Sequence, residues 1–94
     1  MKKYAFLEEI DLILEDEGGV IYNKLTDQFF GLDYVGNFIC KELQQGIDID
    51  TIIDRISKKY NVEKEIVSND IVDFIDSMKN KNIIMEIDSY EPCW

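Results

Sequence analysis

The stretch QFFGLDYVGNFI, residues 28–39, contains the change of pattern that decides the fold. Its first five residues, Gln28–Leu32, are rich in aromatic and aliphatic side chains and predict a β-strand. Asp33 suits the N-cap of a helix, because its carboxylate can accept hydrogen bonds from the first turn. The apolar residues after Asp33 recur at helical spacing. The stretch therefore predicts a strand that leads directly into a helix.

Two further strands are predicted before this one. In residues 10–15 apolar and polar side chains largely alternate, which is the period-two pattern of a half-buried strand. Gly18 and Gly19 predict a hairpin turn, because glycine adopts positive φ without steric cost. Residues Val20–Leu25 predict the second strand. Links this short favour an antiparallel meander of three strands.

Three helices and one more strand complete the predicted order. The helices are expected at Tyr34–Gln45, between Asp48 and Asn61, and at Glu63–Lys79, and the strand at Asn82–Ile87. We therefore expect an α+β domain: a three-stranded antiparallel sheet followed by a three-helix, winged helix-turn-helix-like unit and a short C-terminal strand. Residues 1–88 are expected to form this single domain, and residues 89–94 a C-terminal tail.

The composition excludes several functions. The 94 residues carry a net charge of -10, with 10 Lys and Arg against 20 Asp and Glu. Nucleic-acid affinity depends largely on cations that neutralise phosphates, so this balance disfavours a nucleic-acid partner. No apolar run approaches the roughly 20 residues that cross a bilayer, and the N terminus does not resemble a signal peptide. We expect a cytoplasmic protein with no membrane partner.

No catalytic site, metal site or cofactor is predicted. The chain contains no histidine, which removes the commonest general base and metal ligand. Cys40 lies at helical spacing among apolar residues and is expected to be a small core residue. Cys93, beside Trp94, is expected in the tail. The carboxylates of the third helix are expected to lie on a solvated face.

The helix-turn-helix outline makes a DNA-binding regulator the alternative function. A basic cluster surrounds the junction of the second and third helices: Arg55, Lys58, Lys59 and Lys64. The third helix would enter the major groove, but its exposed side presents acids such as Asp73 and Asp76. Carboxylates there would oppose the attraction to phosphates. We expect the basic cluster to balance the acids of the second helix instead.

The strand Gln28–Leu32 is expected to be an open edge. It contains no lysine or proline that would discourage pairing. Phe30 and Leu32 point to one face and Phe29 and Gly31 to the other, so both faces carry large apolar groups. Such a strand can capture an extended peptide by strand addition, with the third helix as the second wall of a cleft. Ile66 and Val72 fit either a second contact surface of that helix or the margin of the core.

The segment FFGLDYVGNFICKEL, residues 29–43, resembles the signature of PqqD-like proteins. These are recognition elements for the precursors of ribosomally synthesised, post-translationally modified peptides. Their signature is an aromatic strand, Leu-Asn, a variable residue, Val-Gly and an apolar helix. The similarity continues through the helical part to Ile84. This chain departs from the family at Asp33, Cys40 and Asn82, where the family usually has asparagine, tryptophan and glycine.

The resemblance implies a non-catalytic protein that binds a leader peptide. The leader would add as a strand beside the third strand, in a groove shared with the third helix. Carried over by position, the peptide-binding residues are Gln28, Phe29, Phe30, Gly31, Leu32, Asp33, Val67, Asp70, Ile71 and Phe74. The implied partners are the leader region of a precursor and a separate maturation enzyme. The resemblance implies that this enzyme would be a radical SAM protein or the protease and cyclase of a lasso-peptide pathway.

Overall fold

The structure is a computed structural model and describes residues 2–87. Within that range the chain forms four strands, three helices and a fifth strand. They are β1 (Lys3–Phe6), β2 (Ile10–Leu14), β3 (Gly19–Asn23), β4 (Gln28–Leu32), α1 (Tyr34–Gln44), α2 (Ile49–Tyr60), α3 (Lys64–Asn80) and β5 (Ile84–Ile87). The predicted tail, with Cys93 and Trp94, lies outside the described residues.

The strands β2, β3 and β4 form the predicted antiparallel meander. The β3–β4 ladder runs without a skipped residue from Asn23 opposite Gln28 to Gly19 opposite Leu32. The inner face of this sheet packs on the helices, with Ile10 and Ile21 buried. The expected α+β architecture is confirmed.

One strand was not predicted from the sequence. β1 pairs antiparallel with β5 in a second, two-stranded sheet, in which Phe6 lies opposite Ile84. Four residues are too few to show a period, and the partner lies almost at the other end of the described chain. The strand β1 is therefore recognised only from its pairing with β5 in the three-dimensional structure.

The helices begin and end within one residue of the predicted bounds, and their hydrogen bonds and dihedral angles explain why. The Asp33 side chain accepts a 2.7 Å hydrogen bond from the Gly36 N–H, and Asp48 accepts one from Thr51. Asn61 ends α2 in the left-handed region with a φ of 54°, and Asn82 follows α3 with a φ of 58°. Asparagine tolerates this region, so each ends its helix at low cost.

The prediction for Gly18 and Gly19 was wrong in its physical reason. Neither glycine has positive φ, and Gly19 is the first residue of β3 rather than part of a turn. A Cβ at Gly19 would lie 2.6 Å from the Asn37 side-chain oxygen and 2.7 Å from the Ile13 carbonyl oxygen. Glycine is needed there because α1 approaches the strand closely.

The core lies between the helices and the inner faces of the two sheets. Its buried side chains include Cys40, as expected from its helical spacing. Val35 and Phe38 belong to the apolar residues that recur at helical spacing after Asp33, yet Val35 is 38% exposed and Phe38 is only half-buried. The start of α1 therefore leaves apolar surface open. Within residues 2–87, no helix is both long and apolar enough to cross a bilayer.

Candidate functional site

The outer edge of β4 has no strand beside it within residues 2–87. The strand β5, which could have covered that edge, pairs with β1 instead. The unoccupied edge predicted from the sequence is therefore present in the described part of the chain.

The hydrogen bonds of β3 show which peptide groups of β4 face this edge. Lys24, directly after β3, donates its N–H to the Glu9 carbonyl on the β2 side. Because peptide groups alternate in direction along a strand, the odd-numbered residues of β3 face β4. The β4 residues opposite them are Gln28, Phe30 and Leu32. The N–H and C=O groups of Phe29 and Gly31 therefore point to the open edge.

The side chains of β4 divide between two different environments. Phe30 and Leu32 are half-buried on the inner face, toward the helices. Phe29 and Gly31 lie on the outer face, where Phe29 is 65% exposed. The strand that carries the open peptide groups thus has an apolar side chain available on each face.

The helix α3 lies beside the inner face of β4. The Lys81 ammonium, one residue beyond α3, lies 5.3 Å from the centre of the Phe30 ring. At the other end, a Cβ at Gly36 would lie 3.3 Å from a Leu32 methyl carbon and 3.4 Å from the Phe74 ring. Glycine in the first turn of α1 therefore lets the end of β4 and α3 meet there.

An apolar pocket of about 480 Å³ opens at this meeting point. It is lined from all three helices and from the junction between β4 and α1. The lining residues are Asp33, Val35, Gly36, Ile39, Ile56, Tyr60, Val62, Val67, Asp70, Ile71 and Phe74. Ile71 is buried and Phe74 is half-buried. A side chain that enters from the β4 edge would meet mostly aliphatic and aromatic walls.

Three polar side chains lie in these walls. Asp33 and Asp70 bring carboxylates, and one oxygen of Asp33 already accepts the hydrogen bond that caps α1. The Tyr60 hydroxyl is shielded from solvent, and its ring packs edge to face against Tyr34.

The ten predicted site residues fall into two groups that meet where β4 ends at Leu32 and Asp33 begins the turn into α1. Five form the edge strand, from Gln28 to Leu32. The other five line the pocket: Asp33, Val67, Asp70, Ile71 and Phe74. The sequence did not predict the pocket residues of α1 and α2. Ile56 and Tyr60 follow the same apolar period as the core of α2, so spacing alone cannot single them out.

Ile66 and Val72 do not contribute to this wall. They are 50% and 49% exposed, respectively, and neither lines the pocket. The part of α3 that meets the pocket is the side with Asp70 and Phe74.

The basic cluster near the α2–α3 junction is largely paired with carboxylates. Arg55 lies 2.6 Å from the largely buried carboxylate of Glu42. Lys58 and Lys64 both contact Asp54, at 3.0 Å and 2.9 Å. The hydrogen bonds from Lys64 and Lys58 lower the pKa of Asp54 below its usual value. Lys58 and Lys64 thus balance an acid of α2, as predicted, whereas Arg55 pairs with an acid of α1.

The fourth cation of the cluster lies over aromatic rings. The Lys59 ammonium is 5.0 Å from the centre of the Phe38 ring and 5.6 Å from that of Tyr34. Such contacts hold the cation against the protein surface. A DNA-binding function would need these four cations to face phosphates, and the observed contacts oppose that alternative.

Cys40 is unsuited to nucleophilic chemistry. Its side chain is fully buried, and this burial raises the pKa of the thiol to about 12. The reactive form of cysteine is the thiolate, which is scarce at neutral pH with such a pKa. Within residues 2–87, no three potential ligand side chains cluster as a metal ion would require.

Comparison with known proteins gives a family and two similar structures. The model of the family "Coenzyme PQQ synthesis protein D (PqqD)" matches residues 18–84. One similar structure, "TbiB1 in Complex with the TbiA(beta) Leader Peptide", is 28% identical, covers 93% of this chain and 98% of its own, and has a TM-score of 0.80. Another, "Lasso peptide synthetase B1 complexed with the leader peptide", is 19% identical, covers 88% and 98%, and has a TM-score of 0.81. No curated protein matches the chain.

Proposed function

The chain belongs to the PqqD family, and from this premise we propose that it binds the leader region of a ribosomally made precursor peptide. The leader would add as a strand to the open edge of β4 and place anchor side chains in the pocket beside α3. One observation carries the proposal: the strand with the open peptide groups of Phe29 and Gly31 leads directly into Asp33, which lines an apolar pocket. Strand addition requires this combination of a free edge and adjacent side-chain pockets.

Energetics show why both parts of the site are needed. Phe29 and Gly31 offer four main-chain groups, and four new hydrogen bonds would contribute a net of about 2–6 kcal/mol. Ordering the backbone of five peptide residues costs about 1–2 kcal/mol for each residue. The total ordering cost is about 5–10 kcal/mol, which the hydrogen bonds offset only in part. Affinity must therefore come from anchors, each worth about 1.5–3 kcal/mol when buried in the pocket.

The similar structures support a place in lasso-peptide biosynthesis. Both are named for complexes with a leader peptide, and one is named a lasso peptide synthetase B1. We propose that this chain is not catalytic and delivers its precursor to a separate maturation enzyme. The protease and cyclase of a lasso-peptide pathway fit these relatives better than a radical SAM enzyme does. Residues 1–88 would form the recognition domain, working in the cytoplasm where ribosomes make the precursor.

Separate binding measurements with peptide and with DNA test this function. The protein is panned against a displayed library of random peptides long enough to follow β4 and enter the pocket. The best peptide and a duplex DNA are then labelled and titrated at about 50 mM and about 200 mM salt. We expect tight peptide binding at both salt concentrations and no DNA signal. DNA binding at low salt without any enriched peptide would establish the regulator instead.

A further inference from the structure

Gly31 has no conformational reason to be glycine. It lies in the middle of β4, opposite Val20, in a ladder with regular one-to-one pairing and therefore no bulge. Its φ is not positive, since Gly46 is the glycine for which the structure gives a positive φ within residues 2–87. Any residue could adopt this backbone conformation.

Gly31 has no packing reason to be glycine either. A Cβ built there would find no heavy atom within 4 Å. Gly19 and Gly36 differ, because a Cβ would meet neighbours at 2.6 Å and 3.2 Å, respectively. Glycine in a strand interior costs stability and often marks a place where a ligand or another backbone approaches. The open space above the Gly31 Cα is therefore available to a side chain from another molecule.

The side chains nearest Gly31 on the outer face of the sheet are apolar. Val20 lies across from it on β3, and Ile13 lies next to Val20 on β2. On its own strand the neighbour on the same face is Phe29, which stacks on Tyr22 with 4.5 Å between the ring centres. The Tyr22 hydroxyl is fixed in turn by a 2.5 Å hydrogen bond to Asp27.

We propose that Gly31 determines which peptide can add as a strand to β4. Because it has no side chain, it leaves space on the outer face for one large apolar side chain of that strand, preferably aromatic. This added strand is called the guest strand. This proposal rests on the proposed function, because the guest is the strand that adds to β4. Alternate side chains of that strand point to the outer face in either strand direction. The one nearest Gly31 would lie over the bare Cα and extend the apolar row of Ile13 and Val20.

The geometry favours a long side chain over a short one. Diagonal cross-strand neighbours are about 7–8 Å apart, a distance within reach of aromatic and long side chains. Phe29 would be such a diagonal neighbour of the outward guest residue, whereas Val20 lies two strands away, at about 10 Å. Only a side chain that extends across the bare Cα of Gly31 could contact both. An alanine or serine at this position of the guest strand would leave the space above Gly31 empty and the side chains of Val20 and Phe29 exposed to water.

The test compares the wild type with Gly31→Val by panning the same displayed library of random peptides. In wild-type selections we expect one outward position of the consensus to hold a large apolar residue. Selections on Gly31→Val should lose that preference and retain the anchors that enter the pocket. Ala5→Val, which enlarges a strand residue of the β1–β5 sheet, serves as the control and should leave the whole consensus unchanged.

Titration then shows whether Gly31→Val acts by filling the space above Gly31 or by disturbing the pairing edge of β4. For the best wild-type peptide, Gly31→Val should weaken binding about tenfold. For the same peptide with alanine at the outward position, the variant should bind at least as well as the wild type. Equal weakening for both peptides, or none for either, would overturn the proposal while leaving leader binding intact. If wild-type panning enriches no peptide, the proposed function fails and the specificity assignment fails with it.

Discussion

Asn37 of α1 donates a hydrogen bond from its side-chain amide to the main-chain oxygen of Glu15, between β2 and β3. Asn37 is 2% exposed, and its other amide atom lies against Gly19. The contact ties the first helix to the hairpin of the sheet. It thereby fixes the direction in which α1 leaves the end of β4, beside the pocket.

The first prediction compares two glycines of the same sheet. Gly19→Ala should lower the free energy of unfolding by about 1–3 kcal/mol, because its Cβ would crowd Asn37 and the Ile13 carbonyl. Gly31→Ala should be neutral or stabilise the fold by up to about 1 kcal/mol, since space is open there. Urea denaturation of both variants measures the difference. Similar losses of stability at the two positions would contradict the conclusion that Gly19 is closely packed and that Gly31 has open space above it.

The second prediction concerns the open peptide groups. Phe29→Pro and Gly31→Pro each remove an N–H that faces the free edge, so the β3–β4 ladder keeps its bonds. Peptide affinity should fall about tenfold or more, measured by fluorescence anisotropy, because a main-chain bond is lost and the ring intrudes on the guest.

Phe30→Pro is the matched control for these variants. Its N–H faces β3, so proline there should break the ladder and lower the melting temperature markedly. Unchanged peptide affinity in both edge variants would exclude strand addition at β4.

The third prediction tests the pocket wall on α3. Phe74→Ala should weaken peptide binding by about tenfold or more, because Phe74 lines the pocket where anchors would be buried. Val72→Ala truncates an apolar residue that is 49% exposed and does not line the pocket. It should leave binding unchanged, as judged by the same anisotropy titration. If both variants bind like the wild type, the anchors lie elsewhere.

The fourth prediction concerns the ion pair between α1 and α2. The Glu42 side chain is only 10% exposed, and Arg55 is its charged partner at 2.6 Å. Arg55→Ala should lower the free energy of unfolding by about 1–3 kcal/mol, because it leaves the largely buried Glu42 carboxylate without a charged partner. Adding Glu42→Gln should recover part of that loss, which a double-mutant cycle in urea measures.

Lys58→Ala provides the comparison for that cycle. Lys58 is 78% exposed, and Asp54 retains its contact with Lys64 when Lys58 is removed. Exposed ion pairs contribute little, so this variant should unfold like the wild type. Equal effects of the Arg55 and Lys58 variants would show that burial of Glu42 does not matter.

The fifth prediction is a pH dependence from Cys40. Burial raises the pKa of its thiol from 9.0 to about 12. Above about pH 9 the unfolded chain releases this proton and the folded chain keeps it, so stability is lost as pH rises toward 12. The loss should reach up to about 1.4 kcal/mol for each pH unit. Below pH 9 the group should have no effect.

Urea denaturation of the wild type and Cys40→Ala at about pH 8 and about pH 10 isolates this contribution. All other groups are common to both proteins, so only the difference in slope belongs to the thiol. Parallel pH dependences would mean that Cys40 ionises in the folded protein as easily as in the unfolded chain.

Local features of the chain were predicted from the sequence because their causes lie within a few residues. Asp33 and Asp48 cap helices through bonds to residues three positions ahead, and Asn61 and Asn82 end helices through their own backbone preference. The same holds for the alternation that defines β2. Where the reason was non-local, as at Gly19, the element was placed nearly correctly but the explanation was wrong.

Long-range pairing decided what makes the site usable, and this only the tertiary structure shows. β1 and β5 pair across almost the whole described chain, and their pairing leaves the edge of β4 open. Register then turns the peptide groups of Phe29 and Gly31 outward, and packing of α2 adds Ile56 and Tyr60 to the pocket. Period and capping act along the chain, whereas the choice of strand partner and the shape of a pocket depend on contacts between distant segments.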